Sequence, residues 1–377
     1  MANTVLDADA YQSALGLRDL TDSAAGPHAM QLIVAGAAMA LCKAWGCPVV
    51  VHRESPIVTV DENYNRLHYP STGAARDVRY TRYITATTLL RTHTSAMIPT
   101  LLRMIAHAPY DDVLLACPGI VYRRDTVDRL HCGEPHQLDL WRIRATRLGT
   151  DDLQAMIRQV VEAMLPGAEV RSAPATHPYT VDGLEIRVRN TAGDWVEIGE
   201  CGLALPALLA EAGLDPQRHS GLAMGLGLDR ILMLRKGIDD IRLLRSPDPR
   251  IAQQMLDLTP YRRVSSQPAV RRDLSIATAA DTTKEELGDR VRTALGNRAE
   301  SIEAIEVLAE TPVAALPAAA ATRLGISKDQ KNVLLRVVLR HPSHTLTDAE
   351  ANLLRDEIYK ALHEGGTWQW AGAAPPP

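Results

Sequence analysis

Apolar residues recur with a helical period over 26–45, where Met30, Ile33, Val34, Ala37 and Leu41 share one face and Gly46 stands as a stop. Short β-type runs follow at 48–52 and 57–60, and residues 87–107 read as a second helix. From Asp111 the pattern changes to strands. Val113 to Ala116 leads through Pro118-Gly119 to Ile120-Val121-Tyr122. A polar loop, 125–134, separates this run from 136–143, where polar and apolar residues alternate as in a half-buried strand. Two strands joined by a polar loop predict an antiparallel hairpin. A helix is expected at 151–164, strands at 184–188, 195–198 and 222–226, and a helix at 228–234 that opens directly after a glycine-rich strand end. Residues 246–267 hold three prolines and read as a linker. Beyond it the order is strand (269–277), helix (283–295), strand (301–307), Ala/Pro-rich loop (312–322), strand (333–339) and helix (347–363). That order predicts a small split βαβ domain. The whole pattern is α+β, and the Pro-rich end, 367–377, is expected to be a disordered tail.

Composition changes this picture little. A chain of 377 residues favours two domains. With 46% hydrophobic and 23% charged residues it has an ordinary globular balance. A net charge of -4 gives no global pull on nucleic acid, so any RNA contact must come from local patches. Cys42, Cys47, Cys117, Cys132 and Cys201 are scattered and form no CxxC pair, which signals neither a disulfide framework nor a zinc knuckle. There is no basic stretch leading into an apolar one at the start, and the run 32–42 is too short to span a bilayer. A cytoplasmic protein without a membrane partner is expected. One fact is unusual: the chain contains no phenylalanine, although it has ten tyrosines and five tryptophans.

Two segments carry candidate chemistry. In Pro118-Gly119-Ile120-Val121-Tyr122-Arg123-Arg124-Asp125 an arginine stands at a strand end before a polar loop. A guanidinium there can hold a phosphate with two parallel hydrogen bonds. A solvated surface charge explains it equally well when it is taken alone. In Gly221-Leu222-Ala223-Met224-Gly225-Leu226-Gly227-Leu228-Asp229-Arg230 the glycines permit close backbone approach at a strand-to-helix turn, and Arg230 projects from the first helical turn. Tight core packing accounts for the glycines too. No GxGxxG or GK[ST] is present. His131, Cys132 and His136 fit no standard zinc spacing, so no protein-held metal site is expected.

Together these segments resemble motifs 2 and 3 of class II aminoacyl-tRNA synthetases, and more narrowly the catalytic core of the phenylalanyl-tRNA synthetase alpha subunit. Gly119 to Arg123, Asp125, His131, His136, Gln137 and Asp139 match the spacing of the family's GRVYR, D, TH and FHQxEG elements. Arg91-Thr92-His93-Thr94-Ser95 matches its RTHTS element. Asn63-Tyr64 to Pro70 and Ala75-Arg76-Asp77 are similar to its NFD…P…ARD stretch, and Trp195 to Gly202 to its WLEI-x-x-CG strand. Pro268 to Leu274 and Thr345 to Asp348 resemble the ferredoxin-fold anticodon-binding domain.

The resemblance implies a class II antiparallel sheet flanked by helices, plus a ferredoxin-like domain. It implies a catalytic domain over 1–258, a linker over 259–267 and an anticodon-type domain over 268–366. It implies ATP and Mg2+, with Arg123 on the α-phosphate and Arg230 on the γ-phosphate. His131, Gly225 and Gly227 would meet ATP. His93, Ser95, Gln137, Asp139, His177, Tyr179 and Ala223 would form the amino acid site. Arg271, Arg272, Arg336 and Arg340 would face RNA, with scattered surface arginines the plain alternative. Phenylalanine or an analogue, and tRNA, are the implied partners. The chain lacks the family's long N-terminal helical arm and fuses the anticodon-type domain to the core. That favours a chain working without an obligate second subunit, with a homodimer through the motif 1 region as an option.

The pattern also departs from the family. His177-Pro178-Tyr179 stands where the family has FPF, Leu222 and Met224 replace the phenylalanines of GFAFG, and Pro135 replaces that of FHQ. Asp139 is one methylene shorter than the family's Glu. Hydrogen-bonding groups in a pocket reject substrates that leave them unpaired, so a polar or hydroxylated amino acid is one expectation. Avoidance of phenylalanine throughout the chain, as in a protein made when that residue is scarce, is another. The function expected is activation of an amino acid with ATP and its transfer to tRNA. A ligase handing the activated amino acid to a non-tRNA acceptor is the alternative, and a catalytically silent binding protein a third reading.

Overall fold

The computed structural model describes residues 5–108, 110–126, 128–264 and 268–367. The expected tail from 368 onward and linker residues 265–267 lie outside the described residues. The chain forms two compact units: residues 1–123, 134–244 and 249–262 in one, and 124–133, 245–248 and 263–377 in the other.

The first unit is built on a seven-stranded sheet. Its helices are α1 (Ala8–Leu15), α2 (Ala29–Trp45), α3 (Val60–Asn63), α4 (Ile98–Ala106), α5 (Thr150–Met164), α6 (Pro206–Glu211), α7 (Leu228–Lys236) and α8 (Pro249–Ala252). Its strands are β1 (Val49–Val51), β2 (Ile57–Thr59), β3 (Thr88–Leu90), β4 (Asp112–Ile120), β5 (His136–Arg144), β6 (Val170–Pro174), β7 (Thr180–Arg189), β8 (Trp195–Ala204) and β9 (Ser220–Gly227). The large sheet runs β1-β4-β5-β9-β8-β7-β6, and β2 pairs with β3 separately. Only β1·β4 is parallel; every other pairing in the large sheet is antiparallel. The α2 helix forms where the period predicts. His28 caps it, its Nδ1 accepting from Met30 N at 3.1 Å, and Gly46 ends it in the left-handed conformation at φ 65°. Met30, Ile33, Val34, Ala37 and Leu41 are all buried.

The helix expected over 87–107 is not one element. Thr88–Leu90 is strand β3, Thr94–Met97 is a 3-10 turn, and α4 starts only at Ile98, with Pro99 in its first turn. A proline is tolerated there and not in a helix interior, and the β-branched Thr87-Thr88 pair favours extended backbone. Of the stretch expected as a linker, residues 249–262 belong to the first unit. Buried Lys236 donates to Asp257 O at 2.8 Å and Thr259 O at 2.6 Å, tying 249–262 to the first unit.

The second unit holds β10 (Val270–Ala279), α9 (Lys284–Leu295), β11 (Ile302–Pro312), α10 (Ala318–Leu324), β12 (Gln330–Leu339) and α11 (Asp348–Leu362). The sheet order β10-β12-β11, antiparallel throughout, places β12 between the two strands of a βαβ unit. Capping boxes open both long helices, Thr283 with Glu286 and Thr347 with Glu350. Leu274, Ile276, Val291, Leu335, Val337 and Ile358 share its core. The Ala/Pro-rich loop expected over 312–322 contains α10, because its alanine run follows Pro317 and ends on left-handed Gly325.

Candidate active site

The period of two along β5 places Gln137, Asp139 and Trp141 on one face of the large sheet. Strand register carries that face sideways, since directly opposed residues share a face. Gln137 stands between Gly119 and Gly227, Asp139 between Cys117 and Gly225, and Trp141 between Leu115 and Ala223. The middle row continues from Gly225 to Glu200 on β8 and Glu185 on β7. A bulge in β8, where Ile186 opposes Gly199 and Arg187 opposes Glu197, turns Glu197 to the face of Glu200. Glycine is required at 199 because a Cβ there would lie 2.2 Å from the Gly225 carbonyl oxygen.

Asp139 is the best-supported group in this face. It is 2% exposed and accepts from Thr94 Oγ1 at 2.6 Å, Ser95 Oγ at 2.9 Å and Trp141 Nε1 at 3.2 Å. Burial raises its pKa, and the three donors oppose the rise. Gln137 Oε1 accepts from Thr94 N at 3.3 Å. The 3-10 turn at Thr94–Met97 thus brings the RTHTS element onto β5. His93 stacks on Tyr69 with centroids 5.3 Å apart, and neither of its buried ring nitrogens has a hydrogen-bond partner. Burial, followed by the charge of Arg123, lowers its pKa to about 3 against the influence of the Asn63 backbone.

His177 Nε2 lies 2.7 Å from Glu200 Oε2, and its Nδ1 lies 3.2 Å from Thr180 Oγ1. Tyr179 OH lies 3.5 Å from Ser95 Oγ, and its ring touches those of Tyr69, Trp141 and His177. Glu197 has its pKa raised by burial and then by Glu185 and Glu200, so three carboxylates crowd one region beside Arg230.

Arg123 and Arg230 are each anchored by a backbone carbonyl. Arg123 Nε donates to Thr92 O at 2.7 Å, and Arg230 Nη1 donates to Glu197 O at 3.0 Å. Neither has a carboxylate at ion-pair distance. By contrast Arg142 is held by Asp112 at 2.7 Å and Arg79 by Asp77 at 2.8 Å. The remaining guanidinium donors of Arg123 and Arg230 are open to an anion.

His131 lies in the segment 124–133, within the second unit, with Nδ1 at 2.8 Å from both Asp128 oxygens. The expected RNA-facing arginines are largely paired. Arg336 makes a two-bond contact with Asp273 at 2.8 and 2.9 Å, Arg272 donates to Asp348 at 2.8 Å and Asn352 at 3.0 Å, and Arg340 lies 2.6 Å from Glu303. Arg271, Arg272 and Arg336 do line one depression of about 680 Å³, together with Asp273 and Glu306. Trp141, Thr94, Glu197 and Glu200 were not among the expected site residues. The alternation that exposes Gln137 and Asp139 to one face carries Trp141 with them, so that one was findable. Glu197 depends on a bulge that no period reveals.

Residues 49–255 match the family model of tRNA synthetases class II core domain (F), and residues 265–367 match the ferredoxin-fold anticodon binding domain. The chain is similar to the phenylalanine--tRNA ligase alpha subunit of Prochlorococcus marinus (strain MIT 9313), 38% identical over 202 residues, covering 53% of this chain and 58% of that protein. It is similar to the same-named proteins of Chromobacterium violaceum, 34% identical over 195 residues (51% and 57%), and Geobacillus thermodenitrificans, 34% identical over 218 residues (54% and 62%). The chain spans less than two thirds of the length of each of these relatives. The chain belongs to the family of class II tRNA synthetase core domains, with a ferredoxin-fold anticodon-binding domain following the core.

Proposed function

We propose that the chain is a ligase that activates an amino acid with ATP and passes it to tRNA. The observation that carries this reading is the pair Arg123 and Arg230, each anchored by one backbone carbonyl and otherwise unpaired, at the edge of a glycine-floored sheet face. In the reaction a carboxylate oxygen of the amino acid attacks the α-phosphorus. The bond from that phosphorus to the bridging oxygen breaks, and pyrophosphate leaves. The step needs positioning and neutralised charge more than proton transfer. Arg123 holds the α-phosphate and the attacking carboxylate, and Arg230 the γ-phosphate. Gly225 and Gly227 let ATP approach the strand backbone. Gln137 and Asp139 orient the ammonium, and His93, Ser95, His177, Tyr179 and Ala223 line the amino acid site.

Among the described residues no three metal-ligating side chains gather into a site of their own. Magnesium is held mainly by phosphates with one or two carboxylates. Glu197 and Glu200 would be the carboxylates to hold such an ion, since Glu197 feels the charges of both Glu185 and Glu200. A bound Mg2+ would supply neutralisation of phosphate charge.

In this reading 1–258 is the catalytic domain and 268–366 the RNA-facing domain, with 259–267 linking them. No helix among the described residues is long and apolar enough to cross a membrane. Exposed Leu32 and Met39 on α2, and Val49 and Val51 on edge strand β1, support a homodimer through this region. Sedimentation equilibrium tests that association, and a monomer at micromolar concentration rules it out.

A second reading, transfer to a non-tRNA acceptor, is favoured by the paired arginines of the second unit. ATP–pyrophosphate exchange across the amino acids, followed by charging of bulk tRNA, separates the two. Exchange with charging supports the first, exchange without charging the second. Exchange that survives both Arg123→Ala and Arg230→Ala undiminished sinks the assignment of the site.

A further inference from the structure

We infer that this pocket takes an amino acid with a short side chain and turns away an aromatic one. The inference rests on the amino-acid-activation reading above. It comes from what stands next to Asp139 on the sheet face.

Trp141 is 0% exposed and lies two residues beyond Asp139 on β5, its Nε1 donating to that carboxylate at 3.2 Å. Tyr179 lies along the indole, with centroids 6.0 Å apart and planes inclined by 27°. Two rings that sandwich a third stand about 7 Å apart, twice the ~3.5 Å of a carbon contact. Tyr179 also meets Tyr69 and His177, each at 6.2 Å, and Tyr69 stacks on His93 at 5.3 Å. Each of these centroid separations is shorter than the spacing that would admit a third ring between the pair.

Ala223 does not reopen that slot. It faces Trp141 across β5 and β9, and both belong to one buried apolar cluster with Met97 and Leu115, against which Tyr179 packs. The room beside a small residue on β9 is taken by the indole. Nor is Tyr179 a swinging lid. Its carbonyl accepts from Leu205 N at 3.0 Å, and the next residue, Thr180, pairs with Ala204. A backbone held at both points fixes where the phenol can go.

What stands against Asp139 is polar. Ser95 Oγ donates to its carboxylate at 2.9 Å and lies 3.5 Å from the Tyr179 hydroxyl. These groups suit a short aliphatic or hydroxylated side chain, and an apolar ring would leave them unpaired.

The test is ATP–pyrophosphate exchange by the full chain with glycine, alanine, serine, threonine, phenylalanine and tyrosine. Calorimetric titration of the same six runs beside it. The expected result is a kcat/KM for the best short amino acid at least about 100-fold above that for phenylalanine. Tyr179→Ala, with Tyr179→Val as a second variant, is expected to raise kcat/KM for phenylalanine at least about tenfold and narrow the ratio. A wild-type preference for phenylalanine or tyrosine overturns the inference and leaves the activation reading standing. So does a ratio unmoved in both variants. Absence of exchange with all six overturns the inference and leaves the activation reading to exchange with the remaining amino acids. With exchange present, tighter binding of a short amino acid supports the inference; tighter binding of phenylalanine, or no binding at all, overturns it.

Discussion

The guanidinium of Arg91 fills the space in front of Gly119: a methyl group at 119 would stand 2.1 Å from Arg91 Nη2. Arg91 is 2% exposed, and its Nε donates to Ile120 O at 2.9 Å and its Nη1 to Glu54 O at 3.2 Å. A buried charge has to be satisfied in this way. Asp19 Oδ2 accepts from Ile120 N at 3.1 Å, so the end of β4 is clamped from two sides. Tyr122 N donates to Arg91 O at 2.9 Å, and Arg123 Nε to Thr92 O at 2.7 Å. The Arg91–Thr92 backbone therefore positions the candidate phosphate-binding arginine. Gly119→Ala is expected to destabilise the fold by about 1–3 kcal/mol, as overpacking of a filled site does. Urea denaturation checks this through a lower midpoint at unchanged slope. A midpoint equal to wild type contradicts the clamp.

How much of this was legible beforehand depends on the range of the interaction. The α2 face, the β4–β5 hairpin and the helix opening at Leu228 follow from local periods, and each formed where expected. The 87–107 stretch misled because its apolar content outweighed Pro99 and the threonines. Alternation put Gln137 and Asp139 on one strand face, and their place in a site came from the resemblance. Their donors Thr94 and Ser95 are brought in from far along the chain, and the Trp141–Tyr179 stack joins residues no local pattern connects. The pairing of Arg336 with Asp273 is a matter of strand register, which the sequence does not display.

Gly225 offers a graded test of the sheet face. A Cβ there would meet Asp139 Oδ2 at 4.0 Å, an ordinary contact. Gly225→Ala is therefore expected to fold normally and keep measurable exchange. Gly225→Val puts branched carbon over Asp139 and is expected to raise the KM for the amino acid about tenfold, which is roughly 1.4 kcal/mol. Exchange kinetics on both variants decide it. Equal KM values for glycine, alanine and valine at this position would place the amino acid elsewhere.

His28 makes stability depend on pH. Its Nδ1 accepts from Met30 N, so the ring is neutral, with Nε2–H directed to Leu244 O at 3.1 Å. Burial lowers its pKa from 6.5 to about 4, and His93 is lowered to about 3 by burial and Arg123. Between the folded and unfolded values the unfolded chain binds a proton that the folded chain refuses. Stability is therefore fully present above pH 6.5 and is lost as pH falls toward 4. Each such proton contributes at most about 1.4 kcal/mol per pH unit. His28→Asn keeps an N-cap acceptor and removes the titration. Unfolding free energies at a series of pH values below neutrality are expected to fall less steeply in this variant. An identical slope would show that His28 does not titrate in that window.

Asp273 and Arg336 test whether the second unit meets RNA. The arginine is opposed by Asp273 on β10 and Glu306 on β11, so its charge is compensated on both sides. A phosphate must displace Asp273 before it can bind there. A solvent-exposed pair of this kind contributes little to stability, so its loss leaves the fold intact. Asp273→Asn frees the guanidinium. If this sheet face contacts tRNA, the variant binds more tightly and its log K falls more steeply with log salt, by about 0.7–0.9 per phosphate gained. Filter binding over a potassium chloride series measures both. A wild-type slope in the variant, with unchanged affinity, would take this face out of the RNA interface and leave the non-tRNA acceptor as the better reading.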